Sequence, residues 1–310
     1  MSQPLVSVYC LAYNHEKYIR QALEGFVNQK TSFQYEVFVN DDASTDNTAA
    51  IIKEYADKYP DIIYPIYQKI NLYSQDVDIP RDILFPQFKG KYVAVCEGDD
   101  YCCDENKLQM QIDFLENNLE YVACTHNSLR YNVKTGKKEI MFDNCKEYDI
   151  KFEDAVEGGG KCYHTSSVVY RIEYMKNRPE FFEHAGGVGD YPLAMYLTLS
   201  GKVRFFNKIM SVYRVFTENS WTVKSYSEPK KIQKVLLDNN ELLFYVNKYT
   251  QGRYSDKINK LMLQNEYMGY EITHDLEKLS DNRYDGIWDE KGKWFKLKRI
   301  LKKNFGWIIR

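Results

Sequence analysis

Near residue 100 a β-rich run, Lys91-Tyr-Val-Ala-Val-Cys96, breaks off into Glu97-Gly98-Asp99-Asp100, so carboxylates collect where a strand should end. Hard divalent cations take carboxylate oxygens and keep positions open for phosphate, and Gly98 lets the backbone turn with no Cβ in the way. The turn is therefore a candidate holder of a metal-bound phosphate. An acidic triplet by itself more often reads as a solvated turn ahead of a helix, so the surrounding elements must decide.

Those elements follow one rhythm. Val6-Ser-Val-Tyr-Cys-Leu-Ala reads as a strand ending in Tyr13-Asn14, and Tyr18, Ile19, Ala22, Leu23 and Phe26 follow at helix period. A second strand, Tyr35-Glu-Val-Phe-Val-Asn40, enters Asp41-Asp42-Ala-Ser44-Thr45-Asp46, whose last three residues are helix N-cap types ahead of Ala49, Ile51, Ile52 and Tyr55. Strand, helix, strand, helix is the signature of a parallel sheet, in which ligands bind beyond the carboxyl ends of the strands. A third strand is expected over 62–67, a loop over 71–80, a helix through Leu108, Ile112 and Leu115, a strand over 121–125 and a turn at Thr135-Gly136.

The pattern Val-Ser-Val…Tyr13-Asn14, Asn40-Asp-Asp-Ala-Ser-Thr-Asp46, then Cys-Glu97-Gly-Asp-Asp100-Tyr with Asp104 and Lys107-Leu108, resembles the inverting family 2 glycosyltransferases of bacterial polysaccharide synthesis. The resemblance runs over roughly the first 215 residues. It implies an α/β GT-A fold, a Rossmann-like nucleotide-sugar-binding mixed sheet with a C-terminal helical extension. The expected division is 1–225 for the GT-A domain, with 1–103 binding nucleotide and 104–225 presenting the acceptor, and 226–310 for a helical C-terminal region. The implied reaction moves a sugar, most simply from a UDP-sugar, to a saccharide or lipid-linked saccharide acceptor.

Transfer from a nucleotide sugar builds charge on the leaving diphosphate, which a divalent cation stabilises directly. Asp99 and Asp100 are the expected holders of Mn2+ or Mg2+, with Asp99 or Glu97 contacting the ribose or orienting the water shell. By resemblance Asp42 contacts the base. Tyr13 is expected to stack on or cover it, or else to be one more core aromatic among 27 tyrosines. Arg81 is a candidate for the base or diphosphate. Inversion also needs a general base opposite the leaving group. Asp190, in Gly186-Gly-Val-Gly-Asp190-Tyr-Pro192 ahead of an apolar helix, is that candidate, and its plainer reading is an N-cap. Tyr163-His164-Thr-Ser-Ser167-Val-Val-Tyr-Arg171 resembles the strand lining the acceptor side, with His164 bonding a sugar or held as a structural imidazole. Met210-Ser-Val-Tyr213-Arg214 fits the late strand motif and makes Arg214 a substrate-side candidate.

Three positions depart from the family pattern. Glu97 stands where Asp is common, Cys102-Cys103 where Trp is common, and Phe216 where a histidine often follows the arginine. If that histidine helps hold the metal in relatives, this chain uses water or another residue.

The 310 residues suffice for one large α/β core plus a helical appendage. With 42 basic against 44 acidic residues, wholesale nucleic-acid binding is not expected. Seven cysteines without a paired framework suggest reduced thiols and a cytoplasmic setting. Cys162 with His164, or Cys124 with His126, lacks the four-ligand spacing of structural zinc. No secretory signal or spanning segment is expected. Residues 291–310 hold lysines and arginines without an acidic residue, with Trp294, Leu297, Leu301 and Ile308 at helix spacing. Such a helix lies on an anionic membrane, as a peripheral enzyme would need, or packs on the core with its basic face in water. Two other functions remain at this stage. A nucleotidyltransferase would carry a glycine-rich basic loop, which Leu11-Ala-Tyr-Asn14 lacks, and a non-catalytic carbohydrate-binding protein would not need Asp42, Asp99, Asp100 and Asp190.

Overall fold

The computed structural model describes residues 3–143, 145–158, 162–186, 189–218, 220–284 and 287. The basic segment 291–310 lies outside them. The chain forms two compact units: Met1–Arg178 with Gly187–Asn219, and Pro179–Gly186 with Ser220–Arg310.

The first unit is built on one mixed sheet. Its strands are β1 (Val6–Ala12), β2 (Tyr35–Asp41), β3 (Ile63–Tyr67), β4 (Tyr92–Val95), β5 (Tyr101–Cys102), β6 (Tyr121–Asn132), β7 (Lys138–Ile140), β8 (Tyr148–Ile150), β9 (Val169–Arg171) and β10 (Lys202–Val215). The main order is β3-β2-β1-β4-β9-β6-β10-β5, with β7 against β6 and β8 against β10. β1 to β4 run parallel, so their carboxyl ends share one rim. Strands buried on both faces lose the in-out alternation, and β2 is buried at every position, Glu36 and Asp41 included. Glu36 is tolerated because its carboxylate accepts from Ser7 Oγ at 2.6 Å and from the Lys89 amide at 2.7 Å.

α1 (Ile19–Val27) buries Ile19, Ala22, Leu23 and Phe26, one helical stripe pressed on the sheet. α2 (Thr48–Lys58) follows β2, and α3 (Lys107–Asn117) buries Leu108, Ile112 and Leu115. These faces meet Val6, Val8, Val37, Val39 and Ala94 in the core. α4 (Phe152–Gly158) and α5 (Asp190–Ser200) complete this unit, and α5 buries every residue from Tyr191 to Leu197.

The α/β mixed sheet is as expected, with several local differences. α2 has Asn47 at its N-cap, and Asp46 Oδ1 instead accepts from the Thr48 amide at 2.9 Å. The strand expected from Tyr163 begins only at Val169, because a 3-10 turn at Thr165–Ser167 intervenes. β6 runs well past Thr125, since it pairs in parallel with the long β10 as far as Asn132. α5 is capped by Gly189, so Asp190 is its first residue and not the cap.

The second unit contains α6 (Trp221–Ser225), α7 (Pro229–Tyr249), α8 (Ser255–Ile272) and α9 (Leu276–Leu279). α7 and α8 bury Leu242, Leu243, Val246 and Ile258. They are registered by Asn240, which donates to the Met262 carbonyl and accepts from Asn265, both at 2.9 Å. Phe181 from the 179–186 segment packs edge-on against Tyr249. No helix among the described residues is long and apolar enough to cross a membrane.

Candidate active site

The parallel strands deliver their polar ends to one rim. β1 ends at Tyr13 and Asn14, β2 at Asp41 and Asp42, and β4 at the Glu97–Asp100 turn. Asn14 takes a left-handed φ of 55°, where its carbonyl oxygen Oδ1 accepts from the Thr45 amide at 2.8 Å while its own amide donates to Ser44 Oγ at 2.9 Å. The β1 and β2 loops are thereby locked together. Gly98 is required by proximity: a Cβ there would lie 2.8 Å from His15 Nδ1 and 3.2 Å from Ala12 Cβ.

Arg214, at the end of β10, fixes the acidic turn from behind. It is buried, its backbone amide donates to Asp100 Oδ1 at 2.8 Å, and its guanidinium donates to the Asp99 carbonyl at 2.6 Å and to Gln21 Oε1. The guanidinium carbon lies over Tyr101 at 4.5 Å and Tyr18 at 5.4 Å. Thr217 Oγ1 donates to Asp99 Oδ2 at 2.9 Å. Each aspartate thus has one oxygen tied to protein. Asp99 Oδ1 has no hydrogen bond among the described residues, and Asp100 Oδ2 faces His164 Nε2 at 3.6 Å. That distance exceeds a hydrogen bond. Burial holds the imidazole neutral, its pKa lowered to about 3, so the contact is no ion pair either.

The carboxylates act on one another. Burial raises Glu97 to about 8, with further contributions from the charges of Asp99 and then Asp190. Asp100 is pushed well up by burial and then by Asp99, and burial raises Asp190, whose Oδ1 accepts from the Tyr191 amide at 2.8 Å. Glu97 and Asp190 each keep part of their surface open to solvent. Glu97, Asp99, Asp100, Asp190, His164 and Arg214 therefore form one neighbourhood.

Asp42 has a different task. It is 3% exposed, and its oxygens accept from the Leu72 amide at 2.7 Å and the Tyr73 amide at 3.0 Å, so it anchors the 71–75 loop. Asp41, one residue earlier and the last of β2, has a buried Oδ1 without a partner, and its charge reaches the His15 ring more weakly than that of Asp99 does. Arg81, in the short turn Pro80–Leu84, forks onto its neighbour Asp82 at 2.5 and 3.0 Å. Tyr13 is half-buried at the rim. Phe216 occupies φ 66°, an uncommon conformation for a bulky side chain, with its ring exposed beneath Lys134. Sequence reading missed His15, Gln21, Tyr101 and Thr217. Only Thr217, one residue past the position expected to hold histidine, carried a positional hint.

Among the described residues no three His, Cys, Asp or Glu side chains converge to cage an ion. Mg2+-type sites seldom need such a cage, because one or two carboxylates and the substrate phosphates complete them. Two aspartates with one oxygen each left open, Asp100 pushed up by burial and then by the charge of Asp99, are a donor set that a divalent cation fits.

Residues 7–177 match the family described as Glycosyl transferase family 2. An uncharacterized protein of Mycobacterium tuberculosis is 33% identical over 230 residues, covering 73% of this chain and 63% of that protein, so the chain spans less than two thirds of the length of that relative. Staphylococcus aureus TarS 1–349, solved with UDP, superposes with a TM-score of 0.60 at 17% identity over 92% of this chain and 78% of that one. The Pyrobaculum calidifontis mannosyltransferase PcManGT, solved with GDP-Man and Mn2+, gives a TM-score of 0.54 at 11% identity over 98% of this chain and 85% of that one. At these identities the two structural likenesses speak for a shared GT-A fold.

Proposed function

The chain belongs to glycosyltransferase family 2, and from that premise we propose that it transfers a sugar with inversion from a nucleotide-sugar donor, in the first instance a UDP-sugar, to a saccharide or lipid-linked saccharide of a bacterial surface polysaccharide. The observation carrying this reading is the electrostatic joining of the Glu97–Asp100 turn to Asp190, which comes from a distant helix start. The UDP bound to TarS and the GDP-Man and Mn2+ bound to PcManGT support the donor class.

In this reading Asp99 and Asp100 hold Mn2+ or Mg2+ through their open oxygens. Such a cation, when bound, neutralises the charge that develops on the departing diphosphate. Arg214 and Thr217 keep the two carboxylates in place before any ligand arrives, so little reorganisation is needed. Glu97 faces the ribose side of the turn. Asp42 acts through the 71–75 backbone that it anchors, alongside Tyr13 and Arg81 at the nucleotide end. Asp190 removes the proton from the acceptor hydroxyl, and its raised pKa makes it a stronger proton acceptor than a solvated carboxylate. The basic segment 291–310 supports contact with an anionic membrane surface carrying a lipid-linked acceptor.

The test is a panel of UDP- and GDP-sugars with Mn2+ or Mg2+, scored for nucleotide release. Asp190→Asn should lower turnover by about 10^2 to 10^4-fold, the usual worth of a general base, while nucleotide binding persists. Asp100→Asn should lose cation-dependent nucleotide binding as well. Absence of binding and turnover with every donor would overturn the proposal.

A further inference from the structure

His164 sits beside Asp100 with its ring orientation fixed on both sides. Tyr213 stacks on one face, with ring centroids 4.1 Å apart and planes at 27°. At the rear edge, Nδ1 lies 2.7 Å from Ser166 Oγ, and that hydroxyl donates onward to Ser211 Oγ at 2.8 Å, which in turn pairs with Ser128 Oγ at 2.9 Å. All three serines are fully buried, so no solvent competes for these hydroxyls.

A hydroxyl has one proton. Ser166 gives its proton to Ser211, so the short contact to His164 must be made by a proton on Nδ1, donated to Ser166 Oγ. The Ser166 amide also approaches Nδ1, at 3.3 Å, and would require the opposite tautomer. It is the longer contact, and the 2.7 Å bond prevails. With Nδ1 protonated, Nε2 carries the lone pair and presents it toward Asp100 Oδ2 at 3.6 Å. At 3.6 Å the lone pair and the carboxyl oxygen are too far apart to share a proton in a hydrogen bond, whereas one cation between them would ionise the carboxyl and bind both. Two atoms sharing one cation at about 2.1 Å each lie between roughly 3.0 Å apart at right angles and roughly 4.2 Å apart when opposed, and 3.6 Å falls inside that interval. A ring that donates its far N–H to an oxygen and offers its near nitrogen is the usual arrangement of an imidazole metal ligand.

We propose that His164 is a protein ligand of the divalent cation, its Nε2 binding beside Asp100 Oδ2, with Ser166, Ser211 and Ser128 setting the tautomer. This rests on the metal-dependent transfer reading above, with Asp100 the direct carboxylate ligand and Asp99 acting through the water shell, and adds to it a nitrogen ligand and a consequence for metal choice. Imidazole suits transition ions better than it suits Mg2+, so the site prefers Mn2+ or Co2+ over Mg2+.

The test is pulsed EPR on the full chain with Mn2+ and UDP, and in parallel Mn2+ and GDP. Electron spin-echo modulation from a directly bound nitrogen is expected in the unmodified protein, kept in His15→Gln and lost in His164→Gln. Ser166→Ala, which removes the hydroxyl partner but not the ring, should weaken Mn2+ binding about 10-fold or more, as loss of an outer-shell partner does. If Mn2+ binds with nucleotide but shows no nitrogen modulation, or keeps it in His164→Gln, His164 is not a ligand while the transfer reading stands. If no Mn2+ binds with either nucleotide, both fall.

Discussion

Replacing Gly98 with alanine tests whether the acidic turn is held by contact with the first strand. Gly98 donates its amide to the Leu11 carbonyl at 3.0 Å, so the turn is pinned to the end of β1. An added Cβ would stand 2.8 Å from His15 Nδ1, 3.0 Å from Ile19 Cδ1 and 3.2 Å from Ala12 Cβ. Carbon contacts settle near 3.5 to 4.0 Å, so all three overlap by several tenths of an ångström. Ile19 and Ala12 are 0% and 2% exposed and have nowhere to retreat. Overpacking of this kind costs about 1 to 3 kcal/mol. For a folding unit of this size that lowers the melting temperature by about 2 to 12 °C. Gly98→Ala should show this shift in thermal and urea unfolding, together with weaker Mn2+-dependent nucleotide binding, because Asp99 and Asp100 move with the turn. In Gly98→Ala/His15→Ala the shortest overlap disappears, and a coupling of about 1 kcal/mol is expected, within the range for contacting residues. A stability change under about 0.3 kcal/mol, or strictly additive double-mutant values, would refute the contact argument.

Glu97 gives a pH signature. Its carboxyl sits at about 8 in the fold against about 4.3 unfolded, so between these values the fold holds a proton that the unfolded chain has released. Its stabilising contribution is full below about pH 4.3 and is lost as pH rises through 8, at no more than about 1.4 kcal/mol per pH unit for one proton. Urea unfolding without cation at pH 5, 6.5 and 8 should show Glu97→Gln with the flatter dependence, and parallel curves would contradict the assignment. Arg214→Met removes the bonds to the Asp99 carbonyl and Gln21 and the faces of Tyr101 and Tyr18, a loss of about 2 to 4 kcal/mol. Arg214→Lys should recover under half of it, because one ammonium cannot span the guanidinium's partners; full recovery would refute that role.

Residue order alone determined the parallel β1, β2 and β4 and the acidic turn beyond β4, because buried strands and helix stripes leave local periodicities that survive without coordinates. It also carried the family, through short motifs at fixed spacing. Tertiary structure decided what each polar group is bonded to. Asp42 and Asp41 are neighbours in sequence, yet the first, just past the end of β2, bonds the 71–75 loop while the second keeps a buried oxygen without a partner. Arg214 meets Asp99 only because β10 runs its full length beside β6, and the orientation of His164 depends on serines drawn from β6, β10 and the turn before β9. Hydrogen bonds between residues far apart in the chain leave no periodic trace in it. Pairing is fixed by packing the whole sheet, and that packing decided which polar groups meet.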